Sequence, residues 1–252
     1  PDCSSKQYLD PAFYTEPNTA ALEREYEELA RYLGNFSDKI FFVSNWEGDH
    51  ELYCGQAFGA TPSRCPTYLQ SLEAFRKWIT ARTNGIRRAQ ASNVYSVVEF
   101  NIVNYLWDQG FPSVLYDVIP FTPADYYSYS SYESINALYG GDDGTQIRTD
   151  LSRIQQVLSD AGRNPGNLII GEFGFEGNRE EVLAKNALAA QIFTESGIRH
   201  AFIWNLLDAG GTFGLYEPSG DLTAVGEYFC ELWNGNDCGP EFAITNITAA
   251  ER

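Results

Sequence analysis

Short apolar runs alternating with long amphipathic stretches constrain this chain more than any other feature of it. KIFFVSN, NVYSVVEFNIV (Asn93 to Val103), NLIIGEFGF and HAFIWNLLDA each read as a buried strand bounded by polar or glycine residues. VLYDVIPF and the DYYSYSSYES behind it supply a further strand and loop near Tyr116 to Ser134. Between these runs the period changes to that of a helix. NTAALEREYEELARYLG offers Asn18 or Thr19 as a cap, Leu22, Tyr26, Leu29 and Leu33 on one face, and Gly34 as the stop. Further helices are expected over Tyr68 to Gln90, in QIRTDLSRIQQVLSDAG ending at Gly162, in EEVLAKNALAAQIFTESG ending at Gly197, and from near Leu222 to Trp233. Strands separated by helices of this length predict βαβ units, right-handed crossovers and a parallel α/β sheet. The 252 residues suffice for one large core, so a single domain over 1–252 is expected.

In parallel α/β folds the functional groups gather at the carboxyl ends of the strands. Read to their ends, the strands deliver Asn45, Trp46 and Glu47, then Glu99 and Asn101, then Tyr126, Tyr127 and Tyr129, then Glu172, and finally Trp204, Asn205 and Asp208. Two carboxylates in different environments can serve as general acid and nucleophile on an acetal, and aromatic faces stack on the C–H face of a sugar ring. Glu172 follows the apolar run Leu168 to Ile170 between glycines, and a charge at the end of a buried strand is seldom left unpaired. Asp49 and Glu51 compete with Glu47 for its role, and Glu99 is either a site residue or the partner of a buried arginine. Trp204 reads equally as core or as platform, and Tyr129 has Tyr116, Tyr126, Tyr127, Tyr132 and Tyr139 as close rivals.

Other chemistries find little footing. A formal charge of −17 argues against nucleic acid, whose phosphates require clustered Lys and Arg. No run is apolar for long enough to cross a bilayer. With His50 and His200 alone, and no close His/Cys spacing, neither a metal site nor a cofactor is expected. Nucleotide-binding glycine motifs and the G-x-S-x-G elbow are absent. GGDDGT (Gly140 to Thr145) fits a calcium loop or an ordinary turn. Cys54 with Cys65 and Cys230 with Cys238 read as local disulfide staples, leaving Cys3 over; buried free thiols are the alternative. The sequons at Asn35 and Asn246 fit the disulfide reading and a secreted, extracellular glycoprotein. Methionine is missing even at position 1, which leads us to expect further sequence upstream.

In their order along the chain, FFVSNWEGD, SYSSYES, LIIGEFGFEGN and AFIWNLLDAG resemble strands four, six, seven and eight of a (β/α)8 TIM-barrel glycoside hydrolase of clan A. The resemblance covers residues 20 to 235 and implies that this chain carries the later five βα units. Strands one to three would then come from an upstream segment or from another chain, since an open sheet edge is a liability by itself. It further implies Glu47 as acid/base, Glu172 as nucleophile, Tyr129 as the hydrogen-bond partner of Glu172, and Trp204 as sugar platform. Asn45, Trp46, Glu99 and Asn101 complete the expected substrate-binding set. The pattern departs from the clan where Trp46 stands between Asn45 and the acid/base; a bulged strand end would let Asn45 reach a substrate hydroxyl. The function implied is retaining hydrolysis of a β-linked glycan, with carboxyls about 5–5.5 Å apart and the acid/base titrating above the nucleophile. The alternative is a non-catalytic glycan-binding or structural extracellular protein on the same barrel.

Overall fold

The computed structural model describes residues 7–53, 55, 68–205, 214–217 and 219–234. Cys3, Cys54, Cys65, Asp208, Cys238 and Asn246 lie outside the described residues. The chain divides into two compact units, Pro1–Phe173 with Ile192–Phe202, and Gly174–Gln191 with Ile203–Arg252.

The first unit is built on a five-stranded sheet in sequential order: β1 (Phe41–Val43), β2 (Val94–Phe100), β3 (Tyr126–Ser130), β4 (Leu168–Phe173) and β5 (Ala201–Ile203). The first three pairings are parallel, and Ile170 N–H donates to the His200 carbonyl to join the fifth strand. Helix α1 (Glu16–Leu33) precedes β1, a short α2 (Gly48–Leu52) and long α3 (Tyr68–Ala89) follow it, and α4 (Tyr105–Asp108) leaves β2. Then α5 (Tyr132–Ile135) and α6 (Thr145–Asp160) connect β3 to β4, and α7 (Arg179–Glu195) connects β4 to β5.

Helix α1 starts at Glu16, ahead of the expected cap, because Pro17 fits a first helical turn, where its missing N–H costs nothing. Its end at Gly34 is as read, with Gly34 N–H donating to the Ala30 carbonyl (2.8 Å). It crosses α3 at Gly85, where a Cβ would lie 2.3 Å from the Glu23 carbonyl, so only glycine permits the contact. Ala30, Ile86 and Val94 form the core between these helices and the sheet. Asp142 and Asp143 accept N–H donors from Gly144, Thr145 and Gln146 at the start of α6, which is the turn reading of GGDDGT.

The third strand differs from expectation. VLYDVIPF coils into a π-helical turn (Val114–Val118) and a 3-10 turn (Ile119–Phe121), and the strand is the tyrosine- and serine-rich YYSYS after it. Ser113 caps the turn by accepting Tyr116 N–H, Asp117 accepts Ser113 N–H (2.9 Å), and Pro120 has no N–H to give a ladder. In β3 the side chains alternate. Tyr126 joins Phe42, Tyr95, His200 and Phe202 in an aromatic cluster on one face, while Tyr129 stacks on Phe100 on the other.

In the second unit, α8 (Ala224–Asn234) starts where Thr223 Oγ1 accepts Gly226 N–H, and Gly226 lets the Leu215 carbonyl approach to 2.1 Å from where a Cβ would stand. Cys230 on this helix is disulfide-bonded.

Candidate active site

Two residues beyond the aromatic cluster, the same sheet face changes character. Period 2 carries Tyr95 to Glu99 on β2 and Tyr126 to Ser128 and Ser130 on β3. On β4 the register slips. Tyr129 pairs with Ile170 and Ser130 with Glu172, so Gly171 is an extra, bulged residue beside the carboxylate. A Cβ on Gly171 would stand 2.0 Å from Ser128 Oγ and 2.3 Å from Glu99 Oε2. Glycine and two serines thus vacate the volume that the carboxylates occupy.

Three glutamates, from the ends of β1, β2 and β4, meet here. Glu99 Oε2 accepts the Ser128 hydroxyl (2.8 Å) and Oε1 accepts the Glu47 backbone N–H (3.0 Å). Ser130 Oγ donates to Glu47 Oε1 (3.2 Å), and Ser130, the partner of Glu172 in the sheet register, also holds the proton affinity of Glu172 down. Ser131 anchors the Glu172 backbone, donating its N–H and its hydroxyl to that carbonyl, each at 2.9 Å. Burial, then the charges of Glu99 and Glu47, push Glu172 up to about 7. Glu99 is also raised, first by burial and then by Glu47, against the Glu47 N–H, Ser128 and the Arg82 guanidinium. The upward displacement that the sequence reading assigns to the acid/base is therefore found on Glu172.

Glu47 stands at φ 25°, ψ 70°, the left-handed region, between β1 and α2. His50 Nδ1 lies 3.4 Å from Glu47 Oε2, and Trp46, 54% exposed, packs its ring 6.2 Å from the His50 ring. Asp49 and Glu51, the rivals of Glu47, point elsewhere. Asp49 is fully buried, accepts N–H donors from Asn101, Ile102 and Val114, and is pushed by burial up to about 6. Glu51 accepts the Tyr8 hydroxyl at 2.5 Å.

Several expected substrate contacts have other employment. Asn45 is only 6% exposed, and both arms of its amide are spent on Glu99: Nδ2 donates to its carbonyl (2.8 Å) and Oδ1 accepts its N–H (3.1 Å). No bulge turns it outward; the bulge is on β4. Asn101 is equally buried, its Oδ1 accepting Asp49 N–H (3.1 Å) while Nδ2 meets His50 Nδ1. Tyr129 is buried on the helix-facing side of the sheet, its hydroxyl 2.5 Å from Ser134 Oγ. The tyrosine whose hydroxyl feels Glu172, Glu47 and Glu99 is Tyr132, held well above its ordinary value by burial and then by those charges. The alternation of β3 is the signal that separates the two: position 129 falls on the face opposite 128 and 130. Trp204 belongs to the second unit and is 46% exposed. Asn35 is exposed just past α1. Among the described residues no His, Cys, Asp and Glu cluster has metal-ligand geometry, and no helix is long and apolar enough to cross a membrane.

No protein-family model matches the chain, and no curated protein does. Among solved structures it is similar to a beta-glycosidase from Pyrococcus horikoshii, with a TM-score of 0.51 and 16% identity over 83% of this chain and 61% of that one. A glucosidase from Croceicoccus marinus aligns with a TM-score of 0.46 and 16% identity, over 79% of this chain and 43% of that one. This chain therefore spans about three-fifths of the first protein's length. With five sequential strands and helices between them, the chain has the fold of part of a (β/α)8 barrel, related in fold to the beta-glycosidases.

Proposed function

We propose that this chain is the carboxylate-bearing part of a retaining glycoside hydrolase that acts on a β-linked glycan. The observation that carries the reading is that Ser130, which pairs with Glu172 across β3 and β4, donates its hydroxyl to Glu47 Oε1 (3.2 Å), which brings carboxyls from two strand ends to one point. Glu172 attacks the anomeric carbon as the glycosidic C–O bond breaks, and Glu47 delivers its proton to the departing oxygen. Glu47 then takes a proton from water, whose oxygen displaces Glu172 and releases the sugar with its original configuration. The exposed Trp46 beside Glu47 suits the leaving-group side, where an aromatic face can stack on a sugar. Ile40, 58% exposed beside β1, and Phe202, 46% exposed on β5, mark apolar sheet edges that three further βα units, from the same precursor or a second chain, would cover. Secretion, the Cys54–Cys65 and Cys230–Cys238 pairings, and glycosylation at Asn35 and Asn246 belong to the same proposal.

The test is turnover of aryl β-glycosides by the wild type and by Glu172→Gly, with and without azide. Restored turnover that yields a glycosyl azide of inverted configuration identifies Glu172 as nucleophile. Glycan binding without turnover in the wild type returns the chain to a non-catalytic role on the same barrel.

A further inference from the structure

We infer that Glu99 is the positioning residue of this site, fixing the Asn45 to Gly48 segment in the conformation that aims the Glu47 carboxyl. The inference rests on the proposed reading in giving Glu47 a catalytic role.

Glu47 adopts a left-handed backbone, which residues with a Cβ seldom do unless their surroundings impose it. Three polar groups of Glu99 contribute to that imposition. Its N–H and carbonyl engage the two arms of the Asn45 amide, and its Oε1 accepts the Glu47 N–H itself. Its carbonyl also stands 2.5 Å from where a Cβ of Gly48 would be, so that only glycine can follow Glu47. The segment is thus held before, at and after Glu47 by one residue of the neighbouring strand. Ser128 holds the other carboxylate oxygen, and Gly171 leaves room for it. The charged and titratable groups that face Glu99 are Glu47 from the β1 loop, Glu172 from β4, Tyr132 from α5 and Arg82 from α3.

Acceptor and charge are separable by substitution. In Glu99→Gln, Oε1 still accepts the Glu47 N–H and Nε2 donates to Ser128, so the geometry persists while the charge is lost. Turnover should stay within a few-fold of wild type. The ascending limb of kcat/KM should move to lower pH, since one of the two charges that raise Glu172 is gone. Glu99→Ala releases the loop, and kcat should fall about 100-fold with KM little changed. Should Glu99→Ala fail to fold, Asn45→Ala frees the same segment without touching a charge; kcat should fall and the pH limb stay in place.

The backbone amide resonance of Glu47 reports the contact without any substrate. It should lie downfield in wild type and Glu99→Gln and move upfield in Glu99→Ala or Asn45→Ala. An unmoved amide in these last two, or wild-type kcat in them, overturns the inference. Glu99→Gln as impaired as Glu99→Ala also overturns it, because the carboxyl would then be performing chemistry itself. A wild type that hydrolyses no glycoside defeats the proposed function alone; the amide measurement still decides the inference.

Discussion

Gly171→Ala is the sharpest test of how the carboxylate cluster is built. The added methyl would stand 2.0 Å from Ser128 Oγ and 2.3 Å from Glu99 Oε2. Ordinary contact needs about 3.5 Å, so both groups must retreat by roughly 1.2–1.5 Å. Neither can do so freely, because both side chains are buried and hydrogen-bonded to each other at 2.8 Å. Overpacking costs about 1–3 kcal/mol, and losing a charge-assisted hydrogen bond costs about 1.5–3 kcal/mol. The two overlap, since the retreat is what breaks the bond, which leaves about 2–4 kcal/mol. For a chain of this size that lowers Tm by about 5–15 °C. A carboxylate displaced by more than 1 Å takes the Glu47 N–H contact with it, and turnover should fall about 100-fold. Gly140→Ala is the matched control, because nothing lies within 4 Å of its Cβ position, and it should leave Tm and kcat at wild-type values. Thermal denaturation beside aryl glycoside turnover reads both effects. A Gly171→Ala protein with the wild-type Tm would refute the packing argument, and one with a lowered Tm but full kcat would refute the link to the site.

Tyr132→Phe should cut kcat at least 10-fold with little change in stability, whereas Tyr129→Phe should cost about 1 kcal/mol in urea denaturation and spare kcat; the reverse pattern would reinstate Tyr129 at the site. Ser130→Ala removes the hydroxyl that holds Glu172 down, so the ascending limb of kcat/KM should move to higher pH; a shift the other way would exclude that influence on Glu172. Glu172 is raised from 4.5 to about 7 on folding, so its contribution to stability is whole below pH 4.5 and is lost as pH rises toward 7. Glu172→Gln, which cannot ionise, should therefore gain Tm over wild type at pH 8 and show no gain at pH 4.

Four of the five strands were legible because each is an apolar run followed at once by polar residues. The third was misplaced for a definite reason: VLYDVIPF is the more apolar segment, but Ser113, Asp117 and Pro120 coil it, while YYSYS carries the alternation of a strand with one polar face. Choosing between Tyr129 and Tyr132 needed that strand's limits, since period 2 alone sends position 129 to the helix side. Glu47 and Glu172 were in view as strand-end carboxylates, but preferring Glu47 over Asp49, Glu51 and Glu99 rested on the family resemblance. The commitment of Asn45 to Glu99 could not be read from the sequence, because it depends on the register of β1 against β2, which pairs Val43 with Ser96 and so brings the Asn45 side chain within reach of the Glu99 backbone.

Three carboxylates at one point repel one another, and the fold offsets this with hydrogen-bond donors and the buried Arg82. Arg82 on α3 is fully buried. It donates to the Val97 carbonyl and to Ser96 Oγ (3.4 Å), while its Nη1 has no hydrogen-bond partner. Burial pushes it down only to about 10, so it stays charged at neutral pH. Its charge lowers Glu99, whereas Glu172 feels Glu99 and Glu47 as neighbours. Arg82 thus works against the burial that raises Glu99, and a charge on Glu99 in turn raises Glu172. Arg82→Met keeps the apolar stem and removes the charge. Glu99 should then titrate higher and compete with Glu172 for the same proton, which carboxyl 13C shifts of the two residues would record as an upward move of Glu99. An unchanged Glu99 titration would mean that the buried arginine acts only on the helix and strand it bonds, and that the carboxylates settle their protons among themselves.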